Sequence, residues 1–114
     1  MNKFVLAFLL SVVSLSSFSA PYEATGVTTL SRFISYNQYG NGDVVFRVKN
    51  PSPTCHGYWI TEKDPGFNAN LSAVLAAYHA QSKVKIRAIT DQEYKWAGSS
   101  YHWCKLYSIE YPEI

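Results

Sequence analysis

Residues 69–89 read ANLSAVLAAYHAQSKVKIRAI, and they carry the two clearest structural signals in the chain. In the first half, apolar side chains recur at the helical spacing i, i+3, i+4 and i+7: Leu71, Val74, Leu75 and Tyr78. This spacing predicts one amphipathic helix over residues 69–81 with that face on the core. The preceding asparagines, Asn68 and Asn70, are candidate caps.

The second half of this stretch alternates between basic and apolar residues without interruption. Val84, Ile86 and Ala88 are expected to face the core, whereas the intervening side chains are expected to face solvent: Lys83, Lys85 and Arg87. A period of two over residues 83–89 predicts a strand with one buried face.

The flanking sequence predicts four further strands. Three precede the helix and one follows the alternating stretch, at residues 26–36, 44–49, 55–60 and 103–111. They are rich in β-branched and aromatic residues and are separated by turns containing Asn, Gly or Pro. The order β-β-β-α-β-β is typical of a five-stranded OB barrel, and an ordinary α+β sheet with one covering helix has the same order.

The amino-terminal segment predicts export. Lys3 is followed by an apolar run and then by small residues, which is the pattern of a secretory signal peptide over residues 1–19. Cleavage is expected after Ser19, with Ala20 as the alternative. The remaining residues, 20–114, form a single OB-like domain by this interpretation, and no later segment is apolar enough for membrane insertion. The mature protein is expected to be secreted or periplasmic.

Cys55 and Cys104 are the only two cysteines. In an exported chain such a pair predicts an intramolecular disulfide bond. A reactive thiol or half of a metal site is the competing interpretation, but neither cysteine has the nearby second cysteine that zinc and redox motifs require.

The charge of the chain limits its partners. The formal net charge is +2, and hydrophobic residues make up 47% of the sequence. This composition excludes an intrinsically disordered chain. It also lacks the strong basic excess of a dedicated nucleic-acid binder, so no nucleic-acid partner is expected. Basic side chains on the outer strand faces are the only feature that favours nucleic-acid binding.

The chain resembles a family of small secreted bacterial proteins that are similar to the B subunits of subtilase-type AB5 toxins. The resemblance rests on the strand order, the helix Leu71 to Gln81, the Lys83 to Arg87 segment and the ending from Trp96 to Cys104. It implies a disulfide-bonded OB fold, assembly into a pentameric ring and binding to cell-surface glycans. It assigns no residue of this chain to glycan contacts.

Aromatic and hydroxyl side chains on loops are the candidate ligand-binding residues. Carbohydrates offer hydroxyl groups to polar side chains and apolar ring faces to aromatic ones. The residues that combine these features beside turns are Tyr36, Tyr39, Trp96, Ser99 and Ser100. Trp59 and Trp103 are expected in the core instead. Exposed Tyr and Trp serve protein interfaces equally well.

His56 directly follows Cys55, and His102 lies shortly before Cys104. A disulfide between the cysteines would therefore bring the two histidine segments together. A paired-histidine hydrolase is therefore conceivable. No carboxylate or nucleophile stands at a motif spacing to either histidine, and no metal-ligand motif is present. His79 is expected to face solvent.

The preferred interpretation is accordingly a non-catalytic exported binding module without cofactor or metal, which recognises a glycan or a protein and can form a homo-oligomer. A monomeric periplasmic inhibitor or protein-interaction domain is the alternative, and a small hydrolase is third.

Overall fold

The computed structural model describes residues 22–113, which form a mainly β fold with one helix. The predicted signal peptide, residues 1–19, lies outside these residues. In chain order the elements are β1 (Tyr22–Ala24), β2 (Leu30–Ser35), β3 (Val44–Val48), β4 (Gly57–Ile60), α1 (Phe67–Ala80), β5 (Lys85–Ile89), a short 3-10 helix (Gln92–Tyr94) and β6 (Trp103–Glu110). In this part of the chain, no helix combines the length and the apolarity needed to cross a membrane.

The six strands form one sheet in the order β1-β5-β6-β4-β3-β2. All neighbouring pairs are antiparallel except β4 and β6, which are parallel. The sequence predicts five strands, and the sixth is β1, which precedes the first predicted strand at residues 26–36. Only residues 30–35 of that segment pair with β3, whereas the preceding residues 22–24 form a separate strand on β5. The sheet therefore has two edge strands, β1 and β2, and is not closed into a barrel.

The residues between β1 and β2 contact both halves of the sheet. The backbone N–H of Thr28 donates to the carbonyl of Val84 at 2.9 Å, and the Val84 N–H donates back to Thr28 at 2.8 Å. The next carbonyl, that of Thr29, accepts from the N–H of Lys49 at 3.0 Å, just after β3. Two consecutive residues thus bond next to β5 and next to β3, which are the second strands from the two edges of the sheet.

A bulge interrupts the pairing of β2 with β3. Leu30 lies opposite Val48, but Arg32 lies opposite Arg47, so β2 contains one extra residue at this point. Residues two apart in a strand normally share a face, yet Leu30 is only 1% exposed and Arg32 is exposed. The bulge turns Arg32 away from the core side that Leu30 occupies.

The main core lies between the sheet and α1. It contains alternate residues of β3 and β5, including Val44, Phe46 and Ile86. The predicted alternation of β5 is confirmed, because Val84, Ile86 and Ala88 are all buried. Burial of this continuous apolar cluster is the main stabilising contribution to the fold.

Helix α1 packs on this core by the predicted face, with one shift. Val74 and Ala77 are fully buried, and Leu71 and Tyr78 pack against the core as partly buried side chains. Leu75 is only partly buried and is not part of the cluster. The helix starts earlier than predicted, since Gly66 is its N-cap residue.

The predicted asparagine caps are wrong. Asn68 and Asn70 lie within the first turn of α1, because the chain turns into the helix at residues 64–66. In that turn the Phe67 N–H donates to the carbonyl of Asp64 at 3.0 Å, which satisfies one of the free donors at the helix start without a side-chain cap.

The disulfide between Cys55 and Cys104 is present, as predicted. Both cysteines are buried in the main core, and the bond joins the segment before β4 to β6, its parallel neighbour. The bond spans a sequence separation of 49 residues, and a closed loop of that length contributes roughly 4 kcal/mol by restricting the unfolded chain.

Candidate ligand-binding surface

A second apolar cluster lies on the opposite face of β2, β3 and β4, which we call the outer surface. Ile34, Val45 and Trp59 stand side by side there, because β2, β3 and β4 pair in register at these positions. Val45 is covered by Trp96 and Trp103, which are buried with it. The centre of the outer surface, at Val45, is thus packed rather than solvated.

Trp96 is the centre of this cluster. Its side chain is 5% exposed, and its indole N–H donates to the buried carboxylate of Asp43 at 2.9 Å. Asp43 ends the turn before β3, and its backbone carbonyl accepts from the N–H of Tyr36 at 2.9 Å. One carboxylate therefore connects the loop after β5 with the turn between β2 and β3.

Three of the five predicted site residues come together at this point. The ring centroids of Tyr36 and Tyr39 lie 5.7 and 5.5 Å from that of Trp96, and 6.1 Å from each other. Tyr39 is 45% exposed, so its ring is available to a ligand. The buried Trp96 ring contacts both tyrosine rings.

The two predicted serines have other contacts. The Ser99 hydroxyl accepts from the N–H of Tyr101 at 3.1 Å, and its carbonyl accepts from the Lys95 ammonium at 2.6 Å. Ser100 is exposed in the same loop. Both serines lie in the loop that carries Trp96, and within residues 22–113 neither hydrogen-bonds to Tyr36 or Tyr39.

The row of rings continues beyond the predicted residues. The Trp96 centroid is 5.8 Å from that of Trp103, which lies 5.1 Å from His56. His56 in turn stacks on Tyr101, with centroids 4.4 Å apart and an interplanar angle of 11°. Tyr101 is 62% exposed. The turn residues just before Tyr101 were a sequence signal for its exposure, but nothing local indicates its stacking on His56, 45 positions earlier.

Two arginines border the stacked end of this row. Arg32 and Arg47 are direct cross-strand partners, and the Nε of Arg47 donates to the carbonyl of His56 at 2.8 Å. Burial lowers the pKa of His56, and the positive charges of Arg47 and Arg32 lower this pKa further. The sole ion pair among residues 22–113 joins Lys105 to Asp64 at 2.6 Å, so neither arginine has a carboxylate partner there.

The two histidine segments do meet, as the disulfide prediction implied. The backbone N–H of His56 donates to the carbonyl of His102 at 2.8 Å. Within residues 22–113 neither imidazole hydrogen-bonds to a carboxylate, and the Nε2 of His102 is buried without a partner. His79 is exposed on α1, as expected. The same residues contain no group of three or more His, Cys, Asp or Glu that could hold a metal ion.

Comparison with known proteins places the chain in no group: no family model, no curated protein and no solved structure matches it.

Proposed function

We propose that this protein is an exported, non-catalytic binding module of the OB class that recognises a glycan through its outer surface. The observation that carries the proposal is the continuous row of rings from Tyr39 to Tyr101. The two ends of the row are exposed, and the tryptophans between them are buried and hold the row in place.

The strand order supports the OB assignment. The two edge strands, β1 and β2, are consecutive in the chain, and the residues that join them bond to Val84 on one side and to Lys49 on the other. We treat β1 and β2 as two halves of one bent strand. On this interpretation the sheet counts as five strands, and the bent strand, which pairs with β5 through one half and with β3 through the other, gives the neighbour order of an OB barrel.

The position of the row fits this architecture. OB folds bind oligosaccharides and oligonucleotides at the loops between their first and second strands and between their fourth and fifth strands. In this chain those loops are residues 36–43, with Tyr36 and Tyr39, and residues 90–102, with Trp96 and Tyr101.

A glycan suits these side chains better than a nucleic acid. Tyrosine rings stack on the apolar faces of sugar rings, and their hydroxyl groups bond to sugar hydroxyls. The net charge of the whole chain is only +2, which favours a ligand without a polyanionic backbone. The disulfide between Cys55 and Cys104 supports export, since such bonds persist in oxidising compartments.

Binding to a panel of immobilised oligosaccharides, with matched tyrosine variants, tests this function. Tyr39→Ala and Tyr101→Ala should each weaken retention on any glycan that the wild-type protein binds. Tyr107→Ala is the control, because Tyr107 is similarly exposed, at 51%, but packs on Tyr22 and not on the row. Equal losses in all three variants, or no retention on any glycan, would refute the proposal.

A protein-binding role is the second candidate, and the pair Tyr22 and Tyr107 favours it. Their rings lie 4.5 Å apart, and both are exposed. Exposed tyrosines are enriched at protein interfaces. If the chain is a periplasmic inhibitor that acts through this pair, it should inhibit a cell-wall hydrolase such as lysozyme, and Tyr107→Ala should abolish that inhibition while Tyr39→Ala leaves it unchanged.

A further inference from the structure

We propose that Arg32 and Arg47 form a subsite for a tetrahedral oxyanion, so that the ligand of the outer surface is a saccharide that carries a sulfate or phosphate group. This inference rests on the proposed glycan-binding function, which it makes more specific. Its geometric basis is the pairing of two arginines that have no acidic partner within residues 22–113, next to the stack of half-buried His56 and exposed Tyr101.

The placement of Arg32 is the first argument. Directly opposite side chains on antiparallel strands have Cβ atoms about 4.5–5.5 Å apart, and like charges at that distance destabilise the sheet. Without the bulge after Leu30, Arg32 would lie opposite Phe46, on the core side. The bulge instead turns Arg32 to the outer surface and sets it against Arg47. Bulges that redirect a side chain in this way are common beside functional sites.

The second argument concerns the free donors. Arg47 uses Nε to bond the carbonyl of His56, which orients its guanidinium group and leaves the terminal nitrogens available. Arg32 is exposed, and its side chain makes no hydrogen bond within residues 22–113. Two directly paired residues on adjacent strands therefore both carry terminal guanidinium donors that no acceptor within residues 22–113 uses.

The donor arrangement favours a tetrahedral anion over a carboxylate. One guanidinium group satisfies a planar carboxylate through two parallel hydrogen bonds. A sulfate or phosphate group has three free oxygens when attached to a sugar, and it can accept from two guanidinium groups at once. The neighbouring Tyr101 ring, which is exposed, would then contact the sugar that carries the anion.

The test is an NMR titration of the oxidised protein with sodium sulfate, sodium phosphate and sodium acetate, which follows the arginine Nε–Hε resonances. Sulfate and phosphate should shift the signals of Arg32 and Arg47 in a saturable manner, and acetate should bind much more weakly. Arg32→Gln should lower the sulfate affinity about tenfold or more, since a hydrogen bond to a charged group contributes about that factor. Arg32 makes no structural hydrogen bond, so this variant should fold normally.

Arg87→Gln is the matched control, because Arg87 is also exposed on a strand and the charge change is identical. It should change the affinity less than twofold. Equal effects of the two variants would show non-specific attraction, and equal binding of acetate would exclude a tetrahedral site; either result overturns the inference.

Retention on dextran sulfate, phosphorylated dextran and neutral dextran extends the test to saccharides and separates the two sources of the anion. Arg32→Gln should weaken retention on whichever charged dextran binds and leave neutral dextran unaffected. Glycan binding that Tyr39→Ala weakens and Arg32→Gln leaves intact would overturn this inference alone. If the proposed glycan-binding function were itself wrong, neither Tyr39→Ala nor Arg32→Gln would change glycan retention.

Discussion

The hydrogen bond between Trp96 and Asp43 is the critical polar contact of the outer surface, because both side chains are buried. Trp96→Phe would keep an aromatic ring in the cluster but remove the donor of Asp43 Oδ2, while Oδ1 keeps only the longer bond from the Asn41 N–H at 3.4 Å. A buried acceptor that loses its partner costs about 1–3 kcal/mol, and more if it is charged. We expect this decrease in the free energy of unfolding, measured by urea titration.

Trp59→Phe is the matched control for this prediction. It removes an indole N–H that donates to the Tyr94 carbonyl at 2.9 Å in a solvent-exposed position, where water can replace it. The variant should lose clearly less stability than Trp96→Phe. The same loss in both variants would mean that the indole ring, and not its N–H, is what matters.

Gly57 in β4 leaves room for the Trp103 ring of the neighbouring strand β6. A Cβ atom at this position would lie 2.5 Å from carbons of the Trp103 ring and 2.9 Å from the carbonyl oxygen of Phe46. Gly57→Ala should therefore displace Trp103 and destabilise the protein by about 1–3 kcal/mol, as overpacking usually does. Thermal unfolding measures the change.

The control for this substitution is Gly26→Ala. A Cβ atom at Gly26 would have no other atom within 4 Å. This variant should be neutral or slightly more stable, because alanine restricts the unfolded chain. Equal destabilisation at both positions would contradict the role of Gly57.

At the level of the secondary-structure element, β1 is held by Glu23. Its two carboxylate oxygens accept from the backbone N–H and the hydroxyl of Thr54 at 2.9 and 2.6 Å. Burial acts to raise the pKa of Glu23, but the two hydrogen bonds from Thr54, together with smaller contributions from Ser52 and His102, outweigh it and hold this pKa below its usual range.

A native pKa below the unfolded value stabilises the protein at higher pH. The contribution of Glu23 is fully present above its unfolded pKa of about 4.3 and is lost as the pH falls through the lower native value. Glu23→Gln should reduce stability at pH 7 by no more than about 1 kcal/mol, because solvent screens this partly exposed group. It should also flatten the decrease of stability between about pH 5 and pH 3. Glu62→Gln makes the same change at an exposed position and should leave the stability at pH 7 nearly unchanged.

The elements differ in how far their sequence determines them. The sequence predicts a strand over residues 83–89, and β5 spans Lys85–Ile89, because its alternation reflects burial on one face only. The bulge in β2 could not be predicted, since it depends on which β3 residue faces Arg32 and not on a local pattern. Strand β1 was missed for a related reason: its three residues are held by pairing with β5 and by Thr54, both distant in sequence.

For the molecule as a whole, the assembly state is the property that the toxin resemblance predicts most sharply. A ring of five protomers is expected, and light scattering of the oxidised protein over a concentration series measures it. In such a ring, weak glycan sites would gain avidity by repetition. A monomer at all concentrations would refute the ring and favour the inhibitor role.

The candidate site was partly predictable at this scale. Tyr36 and Tyr39 could be chosen because turn residues flank them, and Trp96 was found beside them. The burial of Trp96 requires Asp43 as a hydrogen-bond partner. The bulge in β2 brings Arg32 beside Arg47. The contact between the segments that lead into the parallel strands β4 and β6 brings His56 beside Tyr101. These are consequences of tertiary pairing, which no single segment of the sequence encodes.

All three tryptophans of the chain belong to the outer cluster, and none lies in the main core beneath α1. Intrinsic fluorescence at an excitation wavelength selective for indole therefore reports on one face of the sheet alone. A ligand on that face would change the emission without any attached label. In an unfolding experiment, the emission would follow the loosening of the outer cluster, while the helical circular dichroism signal would follow the main core.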